Sequence, residues 1–224
     1  MLVTISEVLT KEDISVVQDL IATASFQDGR LSAGKEAVTV KNNLEMSISD
    51  VEMQRLNNLV MGKLVQNPTY IAAAFAKKIA APFYAKYTKG MFYGNHIDDP
   101  VMGPPNQRYR TDISITIFLN EPAEYEGGEL TISTTYGEQQ VKLGAGDAVL
   151  YPSSSTHRVA EVTGGERLVA VTWLQSTVPD PAKREILYNL GQAREALIEN
   201  SAESRTLEQV SNSYVNLLRM WSDI

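Results

Sequence analysis

The chain carries two histidines, His96 and His157, and each lies in a segment able to do chemistry. The first segment is Tyr93-Gly94-Asn95-His96-Ile97-Asp98. The second is Tyr151-Pro152-Ser153-Ser154-Ser155-Thr156-His157-Arg158, with Arg167 following it. Two imidazoles and one carboxylate on one face of a metal leave three coordination positions open, the facial set that suits a non-haem Fe(II) centre. In extended backbone, residues two apart point to the same side. His96 and Asp98 can therefore reach one metal from a single strand or its end, while Asp99 points away. The third ligand must come from elsewhere, and His157 is the other imidazole. Arg167 offers a permanent charge with a planar fork of donors, suited to gripping a carboxylate bidentately. A His-x-Asp pair alone is weak evidence, because single histidines are most often surface or hydrogen-bonded core residues. Its company gives it weight: both histidines fall in strand-like segments bounded by glycine and proline, with an arginine downstream.

These residues need a scaffold, and the pattern supplies one. From about Pro82 to Gln175 short strands recur at regular spacing, as in a sandwich or jelly roll. Asp112 to Leu119 alternates, with Ile113, Ile115, Ile117 and Leu119 on one side and Asp112, Ser114, Thr116 and Phe118 on the other. Leu130 to Ser133 and Gln140 to Leu143 flank a turn at Tyr136-Gly137, and Ala148 to Tyr151 is a further strand. Val159 to Val162, the turn Thr163-Gly164-Gly165 and Arg167 to Leu174 predict a hairpin. Trp173 shares the strand face of Arg167; it and Tyr93 either line a pocket or fill the core.

Ahead of the strands, residues 10 to 27 predict an amphipathic helix with Thr10 and Asp13 as a capping pair. Ala37 to Glu45 is strand-like, with Val38 and Val40 on one face. Ser49 and Glu52 cap a second helix carrying Leu56, Leu59, Val60 and Leu64, and Pro68 opens a short third one. After the strands, Asp180-Pro181 starts a helix to about Ile198 with Ile186, Leu187, Leu190 and Leu197 as its stripe. Ser201 to Ser204 connects to a last helix bearing Leu207, Val210, Tyr214, Leu217, Leu218 and Trp221. These helices read as braces that pack on each other and on the β-core, with a dimer seam as the minor alternative.

Composition narrows the partners. At 224 residues and 43% hydrophobic content the chain can bury a sizeable core. The net charge of −7 and the lack of a basic stripe argue against nucleic acid. The chain has no cysteine, no apolar run of membrane-spanning length and no signal-like N-terminus. A soluble cytoplasmic protein, with neither membrane nor nucleic acid as partner, is the simplest reading. Arg110 and Arg158 could bind an anionic substrate, but nearby Asp112, Glu126 and Glu129 favour plain ion pairs.

Nearly the whole chain resembles the Fe(II)- and 2-oxoglutarate-dependent dioxygenases, specifically the bacterial PKHD-type (prolyl/lysyl hydroxylase domain) hydroxylases. The matching segments are Lys86 to Tyr93 leading into His96-Ile97-Asp98, then Arg110-Thr111-Asp112-Ile113-Ser114 through Phe118-Leu119-Asn120. Tyr125-Glu126-Gly127-Gly128-Glu129-Leu130, Ala145 to Ser153, His157-Arg158-Val159 and Gly165-Glu166-Arg167 complete the series. Thr156 departs from it, standing where an apolar residue is expected.

The resemblance implies an α+β protein with a mainly β core. That core is a double-stranded β-helix (jelly roll) over 81–177, braced by residues 1–80 and extended by C-terminal helices over 178–224. It implies Fe(II) held by His96, Asp98 and His157, which are also the catalytic set, and 2-oxoglutarate as cosubstrate with ascorbate as an accessory. The C5 carboxylate of 2-oxoglutarate would meet Arg167, with Tyr87 sharing it. The implied reaction hydroxylates an unactivated C–H bond of a peptidyl (prolyl- or lysyl-like) or small-molecule substrate, with dioxygen consumed and succinate and CO2 released, by a monomer or homodimer. The rival from another class is a non-catalytic, cupin-like metal- or ligand-binding protein, which would have no need of the triad and Arg167 together. Oxidative nucleic-acid demethylation is disfavoured by the acidic balance.

Overall fold

The computed structural model describes residues 1–32, 34, 37–200 and 204–224. The chain begins with β1 (Val3–Ile5) and α1 (Lys11–Thr23). Thr10 starts the helix: its hydroxyl accepts from Asp13 N at 3.2 Å, and the Asp13 carboxylate takes Thr10 N at 3.0 Å. The helix ends at Thr23, short of the expected residue 27. Residues Ser25–Asp28 form β2 instead, because their backbone pairs with β4 in a four-residue ladder.

The strand expected over Ala37 to Glu45 is divided. Ala37–Thr39 is a 3-10 turn, so Val38 and Val40 share no strand face, and β3 (Lys41–Asn42) and β4 (Leu44–Ser47) follow. The chain crosses from one sheet to the other at Asn43, which forces the break. Next come α2 (Asp50–Gln66), capped by Ser49, and α3 (Pro68–Ala74), capped by Asn67 with proline in its first turn.

The β-core runs through β5 (Ala76–Ile79), β6 (Phe83–Thr88), β7 (Phe92–His96), β8 (Val101–Met102), β9 (Tyr109–Arg110), β10 (Ile113–Phe118), β11 (Tyr125–Gly127), β12 (Leu130–Thr134), β13 (Gly137–Val141), β14 (Ala148–Pro152), β15 (His157–Val159) and β16 (Val162–Ser176). The large sheet has the order β1-β14-β10-β16-β6-β4-β2, with β5 and β11 also pairing to β16. The small sheet has the order β13-β12-β15-β7-β3, and β8 and β9 form a separate hairpin. Together they make a jelly roll.

All of β10 is buried, so its alternation separates two cores rather than core from water. Ile113, Ile115 and Ile117 pack outward against α1, α2 and α3 with Leu56, Val60 and Leu64. Phe118 packs between the sheets with Tyr87, Leu130, Ile132 and Tyr151.

The predicted hairpin across Thr163-Gly164-Gly165 does not form. β15 belongs to the small sheet, pairing with β12 and β7. The chain then crosses to the large sheet, where β16 runs unbroken for 15 residues through both glycines. Gly165 sits at φ +69, and a Cβ there would lie 2.1 Å from Glu124 O. The glycines thus let β11 approach the strand closely; they do not reverse it.

After β16, α4 (Pro181–Glu199) is capped by Asp180, and α5 (Ser204–Trp221) packs on it. Residues 201–203 of the expected connector lie outside the described residues. Leu187 is fully buried against the core, whereas Ile186, expected in the stripe, is half exposed. The buried Arg184 donates to Val178 O and Pro179 O at 2.7 Å each, and to Asp112 O at 3.2 Å. At the far end, Asp223 N donates to Thr177 O at 2.7 Å. No helix among the described residues is long and apolar enough to cross a membrane.

Candidate metal centre

Sheet register brings the histidines together. His96 ends β7 and His157 begins β15, and the two are direct partners across the small sheet. Their ring centroids are 4.2 Å apart. Asp98, two residues past His96, places Oδ1 3.9 Å from each Nε2. One donor atom from each of His96, Asp98 and His157 lies within 4.8 Å of the others.

The remaining atoms of these side chains are engaged elsewhere. His96 Nδ1 lies 2.8 Å from Gly94 O and His157 Nδ1 3.0 Å from Ser155 O. A carbonyl oxygen only accepts, so each Nδ1 carries the hydrogen, and each Nε2 is the ring atom that faces Asp98. Asp98 Oδ2 accepts from Ser114 Oγ, whose oxygen is 2.8 Å from Ser153 Oγ. The inward Oδ1 is left to a ligand. His96 stacks on Tyr93 at 3.7 Å, and Tyr151 meets His157 edge-on at 5.1 Å. Burial, reinforced by His157, lowers the His96 pKa to about 4, so this imidazole is neutral at pH 7 and ready to coordinate.

The same three residues line a cavity of about 660 Å³ together with Arg167 and Tyr87. Arg167 lies opposite Tyr87 in the β16–β6 ladder. Its guanidinium carbon is 5.1 Å from the Tyr87 ring centroid and 5.6 Å from that of Phe118. Arg167 is 1% exposed, yet no carboxylate among the described residues forms an ion pair with it, and its Nε has no hydrogen-bond acceptor. Burying an unpaired cation is costly, and an anion brought by a ligand would relieve it. Burial raises the Tyr87 phenol to about 12 against the pull of Arg167, so Tyr87 remains a hydrogen-bond donor.

Tyr93 and Trp173 both line the cavity, and the Trp173 indole N–H has no partner among the described residues. Asp99 borders the cavity but is no part of the three-residue cluster. Arg110 pairs with Asp112, its Nε 2.7 Å from Oδ1, as the ion-pair reading expects. Arg158 also forms an ion pair, but its partner is Glu138 in β13 rather than Glu126 or Glu129. Thr156 is half-buried beside a shallow hollow that also borders His96.

Sequence reasoning missed Ser114 and Ser153. The available signal was a hydroxyl on the face of β10 opposite Ile113, Ile115 and Ile117, the face on which Ser114 meets Asp98. Ser114→Ala should leave the fold intact and weaken divalent-metal affinity about 10- to 100-fold, because the carboxylate loses the group that orients it. Competition with a chelator measures this, and an unchanged affinity would remove Ser114 from the site.

Jelly-roll topology and a His-Asp-His cluster beside a buried arginine define a 2-oxoglutarate-Fe(II) oxygenase. The model of the 2OG-Fe(II) oxygenase superfamily matches residues 82–175, and that of the PKHD-type hydroxylase C-terminal domain matches residues 181–223. A PKHD-type hydroxylase of Thioalkalivibrio sulfidiphilus is 51% identical over 224 residues, covering 100% of both chains. One from Aliarcobacter butzleri is 40% identical over 226 residues with the same coverage. The chain belongs to the PKHD-type hydroxylases, and it is an enzyme.

Among solved structures, a Pseudomonas putida prolyl-4-hydroxylase superposes with TM-score 0.53 at 19% identity, covering 78% of this chain and 92% of that one. A Trichoplax adhaerens prolyl hydroxylase bound to a hypoxia-inducible-factor peptide gives 0.56 at 14%, covering 78% and 83%. Both show the shared fold. The family implies Fe(II) and 2-oxoglutarate. The residues present fit both: three donor atoms unused by protein partners converge for the metal, and an unpaired buried cation awaits a carboxylate.

Proposed function

We propose that this chain hydroxylates an unactivated C–H bond, with His96, Asp98 and His157 holding one Fe(II), and Arg167 and Tyr87 holding the C5 carboxylate of 2-oxoglutarate. The observation that carries this reading is the triad and the unpaired Arg167 lining one cavity. Iron, 2-oxoglutarate and dioxygen would supply an oxidative decarboxylation, giving succinate and CO2, that is coupled to insertion of one oxygen atom into the substrate. The chain's own residues bind and aim. Gly94 and Ser155 carbonyls fix the imidazole tautomers, Ser114 turns the Asp98 carboxylate, and Tyr87 and Phe118 confine the Arg167 guanidinium. A non-catalytic cupin-like binder is disfavoured, because a cation buried without a partner is a standing cost unless an anion regularly fills the site.

The substrate belongs to the peptidyl (prolyl- or lysyl-like) or small-molecule class. Solved proteins of this fold include one bound to a peptide fragment and one bound to hygromycin B. Ascorbate is proposed as the accessory reductant and the cytoplasm as the setting. Nucleic acid and membrane are not proposed as partners, and a monomer or homodimer is the expected assembly. Residues 1–80 would brace the catalytic core at 81–177, and 178–224 would extend it.

The reading is tested at the arginine. Arg167→Met should retain Fe(II) while its dissociation constant for 2-oxoglutarate rises at least about 30-fold, the equivalent of roughly 2 kcal/mol for truncating one partner of a buried charge pair. Unchanged 2-oxoglutarate affinity would mean another group holds the distal carboxylate.

A further inference from the structure

Among the described residues, two buried polar atoms outside the triad have no hydrogen-bond partner, and their side chains meet around Gly128. One is Arg167 Nε, a donor. The other is the Tyr125 hydroxyl, which can accept. Tyr125 is 3% exposed and starts β11, directly across from Gly165 and so two residues from Arg167 along β16. The two side chains converge on Gly128. A Cβ at that position would lie 3.0 Å from Arg167 Cδ and 3.2 Å from Tyr125 Cε2, and the backbone there has φ +68. Only glycine leaves them this room.

Tyr125 is absent from the cavity wall that Arg167 helps to form, so it meets the arginine from another side. It is itself held in place: Lys142 Nζ donates to Tyr125 O at 2.9 Å and sits 4.2 Å from the ring centroid. A phenylalanine would fill this core position at less cost than a phenol whose hydroxyl has no partner, so the hydroxyl needs a reason. Burial pushes the Tyr125 phenol up in pKa while the nearby Arg167 charge opposes it.

We infer that Tyr125 is a positioning residue for the cosubstrate arginine: a small adjustment of the two side chains, whose polar atoms are not hydrogen-bonded to each other in this structure, lets its hydroxyl accept the Arg167 Nε–H from outside the cavity and thereby aims the guanidinium fork inward at the distal carboxylate. The inference rests on the assignment of Arg167 to that carboxylate. With the Tyr87 and Phe118 rings on the guanidinium's other flanks, the fork would have a single orientation. The binding cost of ordering a flexible cation would then be met before the ligand arrives.

The test uses the full chain loaded anaerobically with Fe(II), and calorimetric dissociation constants for two probes. The first is 2-oxoglutarate. The second is 2-oxopentanoate, which keeps the keto acid and lacks the distal carboxylate. Tyr125→Phe should weaken 2-oxoglutarate about five- to tenfold, as expected for losing one hydrogen bond to a charged group, and leave 2-oxopentanoate and iron stoichiometry unchanged. In an Arg167→Met background the same substitution should have no further effect. The ratio of the two constants on one preparation does not depend on how much protein is folded, so a partly unstable variant still gives an answer. If Arg167→Met itself leaves 2-oxoglutarate binding intact, the arginine assignment falls and this inference with it. If Arg167→Met weakens binding and Tyr125→Phe does not, or if Tyr125→Phe weakens both probes equally, the inference alone is overturned.

Discussion

Ending the chain after Ser176 should yield a protein that aggregates or melts far below the intact one. The C-terminal helices carry part of the core. Val178 and Leu187 are fully buried, and each such side chain contributes about 1.5–3 kcal/mol. Arg184 adds a buried cation bonded to three backbone carbonyls, one of them Asp112 O, 72 residues away in the chain. The deletion takes Arg184 away with two of its three acceptors and leaves the buried Asp112 O without this donor, at about 1–3 kcal/mol, while the whole stability of a domain is roughly 5–15 kcal/mol. The deletion therefore removes a large share of the margin. Its effect would reach the active site through the fold, because Asp112 immediately precedes β10, whose Ser114 holds Asp98. Thermal unfolding of the truncated and intact chains decides the matter. A soluble truncation with an unchanged melting temperature would make the helices an independent module. A stable truncation deficient only in turnover would make them part of the substrate site.

His157→Ala should lower Fe(II) affinity by more than the roughly 10- to 100-fold typical of losing an outer hydrogen-bonding partner, since a ligand itself is removed. The sequence holds no spare histidine to replace it. His96 and Asp98 remain, but two ligands from one strand end cannot enclose a metal from both strands. The fold should survive, because His157 is a short-strand residue whose neighbours in β12 and β7 keep their own pairing. Equilibrium dialysis against Fe(II) without oxygen measures the loss, and full iron occupancy in the variant would remove His157 from the site.

How much of this was legible in the sequence depended on whether the partner residues were near in sequence or in register. His96 and Asp98 could be paired from strand geometry alone, and His157 followed as the other imidazole. Helix starts at Thr10, Ser49, Pro68 and Asp180 were legible because capping is local chemistry. The end of α1 was not, since β2 exists only through its ladder with β4. The Gly164-Gly165 pair read as a turn because local rules treat two glycines as a reversal. In the fold they permit close approach of β11, a long-range requirement.

The alternation of β10 identified both faces correctly but not that both are buried. For that reason Ser114 went unrecognised, its partner Asp98 lying 16 residues away in the chain. Arg184 was hidden in the same way, with Asp112 72 residues away. Arg158 was rightly read as an ion-pair residue, yet its partner in β13 depends on the strand order of the small sheet. The placing of Tyr87 beside Arg167 came from family resemblance; cross-strand register in β6 and β16 gives the physical reason.

The central claim is that one iron held by His96, Asp98 and His157 works with a 2-oxoglutarate held by Arg167. Its most direct test is to load the intact chain with Fe(II) and 2-oxoglutarate without oxygen, admit air, and quantify succinate. The account expects succinate that requires iron, 2-oxoglutarate and dioxygen together, and that is lost in His157→Ala and Arg167→Met. Undiminished succinate in either variant, or 2-oxoglutarate that binds beside iron and is never consumed in air, would contradict it.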